Sequence, residues 1–225
     1  MSYTDTAMAE TTAFINQEHK LLIGADRIPA ASGRTLNVYN PATGKTITKV
    51  PAGDKTEIDQ AVAAARQAFD DSEWSRMKPG ERERLLWRLA DLIESNAELL
   101  AEIESIDNGK SKAIAQAVDI RLATDFLRYM AGWATKIEGQ TVNPSLPFMP
   151  GAETFAYTAR EAVGVVGAIV AWNFPLLLAC WKLGPALATG CTVVLKPAEE
   201  TPLTALKLGE LVLEAGYPAG VVNVV

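Results

Sequence analysis

The feature that most limits the possible folds is a regular alternation of segments in the last third of the chain. Apolar runs rich in β-branched residues, at 163–170, 191–196 and 221–225, predict strands, and helices at about 175–189 and 202–215 separate them. Strands this uniformly apolar need cover on both faces, which favours a parallel sheet between two layers of helices. We therefore predict an α/β fold with an incomplete doubly wound parallel sheet. Such a βαβαβ unit is half of a dinucleotide-binding, Rossmann-like fold.

The stretch Ala162–Trp181 carries no charged residue and is long enough to suggest a membrane span. Its first half is rich in glycine and β-branched residues, and Trp172-Asn-Phe-Pro175 interrupts it before a leucine-rich half begins. This pattern is typical of a buried strand, a turn and a helix rather than of one membrane helix. We therefore expect no membrane association.

The rest of the chain divides into three segments. Residues 1–20 form a polar N-terminal extension, and 21–137 predict the strands and helices that begin the cofactor-binding domain. As far as Val50, short apolar runs broken by turns indicate strands. Residues 138–162 then become extended, with two short strands joined by a proline-rich excursion. We predict that this segment is an oligomerisation arm.

Three helical patterns lie between the first strands and the arm. Asp54, followed by Glu57, is a capping-box start for the first helix. The second begins at Pro79, and one stripe of leucine and isoleucine predicts that it continues to Gly109. The third runs from about 111 to 133. All three are expected to pack on the sheet through their apolar sides.

Composition excludes several classes of function. The net charge of −6 gives no general attraction to phosphate backbones, so we expect no nucleic-acid partner. One histidine and two cysteines cannot supply the usual zinc ligand sets, and we predict no metal site. Two cysteines also make a disulfide framework improbable, and no secretory signal is visible, so a reducing cytoplasm is the expected location.

Candidate chemistry follows the first predicted strand. Ligands of open α/β sheets bind beyond the carboxyl ends of the strands, where Trp172 and Asn173 lie. An asparagine amide at the start of a helix can donate to a developing oxyanion, helped by the helix dipole. The alternative is that Asn173 is only a helix cap.

A second candidate pair, Lys196 and Glu199, follows the next strand. These side chains can bind the two hydroxyls of an adenosine ribose, and the carboxylate would repel a 2′-phosphate, which favours NAD over NADP. The alternative is a charged, solvated loop. A Gly-x-Gly-x-x-Gly fingerprint does not follow the first strand, so these patterns alone leave nucleotide binding as one option.

The helix after Asn173 presents Phe174, Leu178 and Trp181 at helical spacing on one face, with Lys182 beside it. Such a face can line an apolar substrate tunnel or can belong to the core.

Long segments of the chain resemble the NAD(P)-dependent aldehyde dehydrogenase superfamily, in its N-terminal portion. The matching segments are AWNFPLLLACWKLGPALATG at 171–190, VVLKPAEETP at 193–202, EAGYPAGVVNV at 214–224, NPATG at 40–44 and DNGK at 107–110. The resemblance covers nearly all of the chain from about residue 20. Within the family, the pattern from 136 to 158 is most similar to the bacterial phenylacetaldehyde dehydrogenases.

The resemblance implies roles for the residues at the strand ends. Asn173 would be the oxyanion-hole amide, and Lys196 and Glu199 would hold the adenosine ribose of NAD. Trp172 and the backbone around Val170 would flank the cofactor. The resemblance also explains the missing glycine fingerprint, since this family binds NAD in its own manner.

The same resemblance assigns the helix that follows. Phe174, Leu178 and Trp181 would line the substrate tunnel, and Lys182 would lie near the active centre. Ala171 departs from the family, which commonly has proline there, and this puts the rigidity of the Asn173 turn in doubt. An aromatic-lined tunnel suits phenylacetaldehyde or another aromatic aldehyde, and the complete protein would be a homodimer or homotetramer.

The implied mechanism needs residues that these segments do not supply. A cysteine thiolate attacks the aldehyde to form a thiohemiacetal, and a glutamate activates water. Both lie in family segments C-terminal to those matched, while Cys180 and Cys191 have the character of small core residues. We therefore expect this chain alone to be inactive and its third strand to leave an open sheet edge. The alternative function is a non-catalytic remnant or interaction module with residual nucleotide binding.

Overall fold

The computed structural model describes residues 9–225. The first eight residues of the predicted N-terminal extension lie outside the described residues. In chain order the elements are α1 (Ala9–Asn16), β1 (Leu21–Ile23), β2 (Asp26–Ile28), β3 (Thr35–Tyr39), β4 (Thr46–Pro51), α2 (Lys55–Asp70), α3 (Glu73–Arg76), α4 (Pro79–Ser95), α5 (Ala97–Asn108), α6 (Lys112–Ile114), a π-helical segment (Ala115–Ile120), α7 (Arg121–Trp133), β5 (Thr141–Val142), β6 (Ala156–Tyr157), β7 (Val165–Ile169), α8 (Pro175–Thr189), β8 (Thr192–Lys196), α9 (Leu203–Ala215) and β9 (Val222–Val224).

The main sheet has five strands in the order β2-β1-β9-β8-β7. Strands β7, β8 and β9 are parallel to one another, which confirms the predicted βαβαβ unit. Strand β1 pairs antiparallel with β9 through Leu22 and Val224, and β2 pairs antiparallel with β1. The prediction that the third strand leaves an open edge is therefore wrong, because β1, from the beginning of the chain, covers that edge.

Helices cover both faces of this sheet. Helices α8 and α9 pack on one face, with α4 and α7 against them, around a core that includes Leu183 and Leu211. On the other face, Ala61 and Ala65 of α2 cluster with Val194 of β8. The doubly wound arrangement is therefore present, and it carries the ends of β7 and β8 to one edge.

Short sequence signals determine where the helices begin and end. The Asp54 carboxylate accepts from the Thr56 N–H at 3.0 Å, and Glu57 accepts from the Asp54 N–H at 2.8 Å, which is the predicted capping box. Helices α8 and α9 end at Gly190 and Gly216, with φ of 91° and 88°. Glycine adopts this left-handed conformation without the steric penalty of a Cβ.

One helical prediction needs correction. The single helix expected from Pro79 to Gly109 is two helices, α4 and α5, which meet at Asn96. The Leu92 carbonyl accepts from both the Asn96 backbone N–H, at 3.1 Å, and the Asn96 side-chain amide, at 2.8 Å, so Asn96 closes the end of α4. The apolar spacing is the same on both sides of Asn96, and the pattern therefore contains no sign of the break.

The third predicted helix is present but not uniform. Its centre, Ala115–Ile120, is π-helical, and Asp119 in this segment is fully buried. Segments of π-helix are rare in proteins, and those that occur are often found at functional sites. The wider turn changes the direction in which a side chain points.

The arm and the uncharged stretch have the predicted secondary structure. Strands β5 and β6 form an antiparallel hairpin within 138–162. The stretch Ala162–Trp181 contains β7, a turn and the start of α8. Across residues 9–225, none of the helices combines the length and the apolar character that crossing a bilayer requires. Strand β7 is only half covered, since Ile169 is 76% exposed.

Candidate active site

The turn between β7 and α8 carries Trp172 and Asn173. Trp172 is 58% exposed, and Asn173 is exposed beside it. The N-cap position of α8 belongs to Phe174, with φ −140° and ψ 66°, and no side-chain capping bond is present there. The interpretation of Asn173 as a helix cap is therefore wrong, and its side-chain amide has no hydrogen-bond partner among residues 9–225.

Side chains from two other segments hold the carbonyl groups of this turn. Asn108, the last residue of α5, donates from Nδ2 to the Trp172 carbonyl at 2.8 Å. Thr201, in the loop after β8, donates from Oγ1 to the same oxygen at 3.3 Å. Lys110 donates from Nζ to the Asn173 carbonyl at 3.0 Å. The turn is therefore bound at two successive carbonyls.

Lys110 belongs to a buried charge cluster, which we define as Glu104, Lys110 and Asp119. Its Nζ lies 3.4 Å from Glu104 Oε1 and 3.1 Å from Asp119 Oδ2, and both carboxylates are fully buried. Burial raises the pKa of Glu104 to about 7, although the nearby Lys110 ammonium acts in the opposite direction. Glu104 Oε2 also accepts from the Leu176 N–H of α8 at 3.4 Å.

Asp107 connects the same end of α5 to the next helix. Its Oδ2 accepts from the Leu203 N–H in the first turn of α9 at 2.9 Å, a position where the helix dipole favours a carboxylate. Burial nevertheless raises the pKa of Asp107 well above its ordinary value.

Lys196 and Glu199 lie at the carboxyl end of β8, as predicted. Lys196 Nζ is 2.7 Å from Glu199 Oε1, and this hydrogen bond lowers the pKa of Glu199. The Val170 N–H donates to the Lys196 carbonyl at 3.2 Å, which aligns the ends of β7 and β8. A cavity of about 250 Å³ opens beside the pair. Its walls include Lys196, Pro197, Glu199, Pro202, Leu206 and Ile58.

The predicted apolar face of α8 is only partly exposed, since Leu178 packs against the core. Phe174 and Trp181 are exposed, and Leu178 is partly buried. The Trp181 ring lies 6.1 Å from that of Phe126 on α7. A Cβ at Gly184 would lie 3.1 Å from the Phe126 ring, so this glycine permits the close approach of α7 and α8.

Lys182 is exposed next to the apolar face of α8 and forms no ion pair with any residue in the range 9–225. The structure does not join it to the turn or to the Lys196–Glu199 pair. Its role near an active centre stays a prediction.

Neither cysteine is available as a nucleophile. Cys180 and Cys191 are free thiols and are buried. Burial raises the pKa of Cys180, so its reactive thiolate form is suppressed. The prediction that both are core residues is confirmed.

Sequence reasoning missed the side chains that hold the turn: Glu104, Asn108, Lys110, Asp119 and Thr201. The segment from Asp107 to Lys110 was interpreted only as a helix end and a family match. One signal could have identified Lys110. It is a cation that directly follows a helix terminus with several acidic residues.

Comparisons with known proteins agree with this arrangement. The sequence model of the aldehyde dehydrogenase family matches residues 28–225. Phenylacetaldehyde dehydrogenase of Pseudomonas fluorescens is 54% identical over 207 residues, which cover 92% of this chain and 41% of that protein. Human mitochondrial aldehyde dehydrogenase is 50% identical over 213 residues, which cover 94% and 40%. The chain thus spans about two fifths of the length of these curated relatives.

A solved structure gives the same result at the level of the fold. The NAD+ complex of an aldehyde dehydrogenase from Bacillus cereus superposes with a TM-score of 0.92 and 46% sequence identity. The superposition covers 97% of this chain and 43% of that one. The match of fold and sequence runs through the turn, the Lys196–Glu199 pair and the helices around them. The chain belongs to the aldehyde dehydrogenase family.

Proposed function

We propose that this chain is the N-terminal part of an enzyme that oxidises an aldehyde to the carboxylic acid with NAD+. The observation that carries the proposal is the hydrogen bond between Thr201 Oγ1 and the Trp172 carbonyl. It joins the loop that carries Lys196 and Glu199 to the turn that carries Asn173. The proposed cofactor-binding pair and an amide donor that has no partner among residues 9–225 thus belong to one edge of the sheet, which is where α/β folds bind their ligands.

The residues after β8 fit the adenosine ribose of NAD+. Lys196 supplies donors, and the ionised Glu199 carboxylate supplies acceptors for the two ribose hydroxyls. The cavity beside them is lined mainly by apolar side chains, which suits an adenine ring. When bound, NAD+ accepts the hydride that leaves the substrate carbon. The negative charge of Glu199 favours NAD+ over NADP+, and Trp172 and Val170 would lie along the cofactor.

Asn173 is proposed as the oxyanion donor. Its side-chain amide is exposed at the start of α8 and is not occupied by a capping bond, so it can donate to a substrate oxygen that gains negative charge. The partial positive charge at the N-terminus of α8 acts in the same direction. Phe174, Leu178 and Trp181 would then contact the carbon skeleton of the aldehyde, with Lys182 near the centre.

The nucleophile and the general base are proposed to come from outside these residues. A cysteine thiolate would attack the aldehyde carbon and form a thiohemiacetal, and a glutamate would activate the hydrolytic water. The burial of Cys180 and Cys191 supports this assignment, since a thiol without solvent access cannot reach an aldehyde. We therefore propose that the chain alone is inactive.

Phenylacetaldehyde or another aromatic aldehyde is the proposed substrate. An aromatic face with Phe174 and Trp181 can stack against an aryl group. The 54% identity to phenylacetaldehyde dehydrogenase of Pseudomonas fluorescens supports this choice, as does the 42% identity to a solved indole-3-acetaldehyde dehydrogenase.

The hairpin arm is proposed to join subunits of a cytoplasmic homodimer or homotetramer. Phe148 and Phe155 in this arm are 78% and 76% exposed, and such large apolar side chains are typical of a contact surface. Sedimentation equilibrium of the wild-type protein and of Phe155→Ser tests this. If the wild-type protein associates and the variant has the same mass distribution, the proposal is contradicted.

The test of the proposed function supplies the remaining residues. The 225-residue chain is joined to the part of the Pseudomonas fluorescens relative that follows the matched segment, and we call this the joined protein. Phenylacetaldehyde-dependent formation of NADH and phenylacetic acid is measured for the joined protein and for the chain alone. We expect activity only in the joined protein. A folded joined protein without activity would contradict the proposal and favour the non-catalytic alternative, with nucleotide binding as its residual property.

A further inference from the structure

Two successive carbonyls in one turn are bound by side chains that lie far away in the sequence. Asn108 and Thr201 bind the Trp172 carbonyl, and Lys110 binds the Asn173 carbonyl at 3.0 Å. Of these three bonds, the one from Lys110 is the closest to the Asn173 side chain along the backbone. It therefore limits rotation of the peptide group directly after the Cα atom that carries the oxyanion donor.

The Lys110 ammonium is itself held from several sides. Glu104 Oε1 and Asp119 Oδ2 lie 3.4 Å and 3.1 Å from Nζ, and the ring of Phe174 lies 4.2 Å from it. The lysine side chain is only 15% exposed. A cation fixed by two buried carboxylates and an aromatic ring loses little further freedom when it also donates to a carbonyl.

The π-helical segment provides one of these two carboxylates. Asp119 lies within Ala115–Ile120 and has a fully buried side chain. Apart from Lys110, none of residues 9–225 forms an ion pair with it. An unpaired buried carboxylate is costly, so the irregular helix and the lysine depend on each other.

We propose that Lys110, supported by Asp119, is a positioning residue that fixes the orientation of Asn173 for catalysis. This inference rests on the proposed function for its catalytic purpose, but its structural part can be measured on the 225-residue chain. A purely structural lysine would neutralise the two carboxylates without controlling the turn. Lys112 provides the matched comparison, because it pairs with Glu102 and Glu98 at 2.7 Å and 3.3 Å and does not contact the turn.

The first measurement is NMR of the 225-residue chain with Lys110→Met, Lys110→Arg and Lys112→Met. Mildly acidic buffer is used so that Glu104 is protonated, which reduces the buried negative charge that loss of the ammonium leaves unpaired. The Phe174 N–H belongs to the same peptide group as the Asn173 carbonyl, and its backbone order parameter reports on the turn. We expect Lys110→Met to lower this order parameter from about 0.85 to below about 0.6, because the charge-assisted hydrogen bond to the carbonyl is lost. The order parameter of the Asn173 side-chain amide should fall with it.

The comparison variants separate positioning from stability. Lys110→Arg keeps a cationic donor and should restore most of the order at both positions, whereas Lys112→Met should leave both order parameters unchanged. If Lys110→Met does not fold, Asp119→Asn gives the same test, with loss of order at Asn173 as the expected result. Equal effects of Lys110→Met and Lys112→Met on the turn would overturn the proposal.

The second measurement uses the joined protein. We expect Lys110→Met to lower kcat by about 10- to 100-fold, with KM for NAD+ within about twofold of wild type, since a misplaced donor affects the transition state more than cofactor binding. Lys110→Arg should recover most of kcat. If wild-type joined protein is inactive, the proposed function fails, and the NMR result still decides whether Lys110 holds the turn. Loss of cofactor affinity without loss of kcat would contradict the positioning role.

Discussion

The Nζ atom of Lys110 lies 3.0 Å from the carbonyl oxygen of Asn173, a residue 63 positions later in the chain. Together with the bond from Asn108 to the Trp172 carbonyl, it attaches the end of α5 to the turn before α8. The exposed amide proposed for the oxyanion is therefore supported by a buried charge cluster. Binding sites need such support because a donor acts on a transition state only when its position is already determined.

The burial of Glu104 predicts that the stability of the fold depends on pH. Its folded pKa of about 7 exceeds its ordinary value of 4.5, so the folded state retains a proton that the unfolded state releases. The contribution of the protonated form is complete below the ordinary pKa and is lost as pH rises through about 7. The full shift corresponds to about 3 kcal/mol of unfolding free energy.

Glu104→Gln should therefore flatten the fall in unfolding free energy between about pH 5 and about pH 8, as measured by urea titration. Glu98 lies on the exposed side of the same helix, so Glu98→Gln is the control for the removal of one surface carboxylate. A slope as steep in Glu104→Gln as in wild type would show that Glu104 is not the group responsible.

Cofactor recognition by Glu199 predicts a change in KM. In the joined protein, Glu199→Gln should raise KM for NAD+ by about tenfold, because the amide replaces a charged acceptor of ribose hydroxyls. The preference for NAD+ over NADP+ should fall at the same time. Steady-state kinetics with both cofactors measures these effects, and Glu200→Gln, an exposed neighbour, is the control. If the two variants behave alike, the ribose assignment is wrong.

Close approach at Gly220 predicts a large effect of one methyl group. A Cβ there would lie 2.5 Å from the Ala64 carbonyl oxygen of α2, and φ is +81°. Gly24 has φ of +67° and open space around it. Gly24→Ala should therefore cost about 1–2 kcal/mol from backbone strain alone, and Gly220→Ala about 1–3 kcal/mol more. Chemical denaturation measures the loss of unfolding free energy in each variant. Equal losses would show that the close approach of α2 does not require glycine at this position.

The elements of the last third could be predicted because each carries its own signal. The apolar runs around Val166 and Val193 are bounded by turns and helix-ending glycines, and these signals act over a few residues. The strand ends therefore identified Asn173, Lys196 and Glu199 as candidates.

Two of the features that escaped prediction depend on distant partners. Pairing of β1 with β9 rests on contact between Leu22 and Val224 at opposite ends of the chain, and no local pattern indicates it. Lys110 has the appearance of a solvated residue after a helix, because its partners Asp119 and Asn173 are brought to it only by folding. Short-range patterns contain no information on such contacts.

The most direct test of the central claim is kcat of the joined protein with Asn173→Ala. Loss of one oxyanion donor should lower kcat for phenylacetaldehyde by about 100- to 1,000-fold, with KM for NAD+ and the melting temperature close to wild type. Asn37→Ala, an exposed asparagine outside the turn, should retain wild-type kcat. A kcat for Asn173→Ala within a few-fold of wild type would contradict the assignment of this amide to the reacting oxygen.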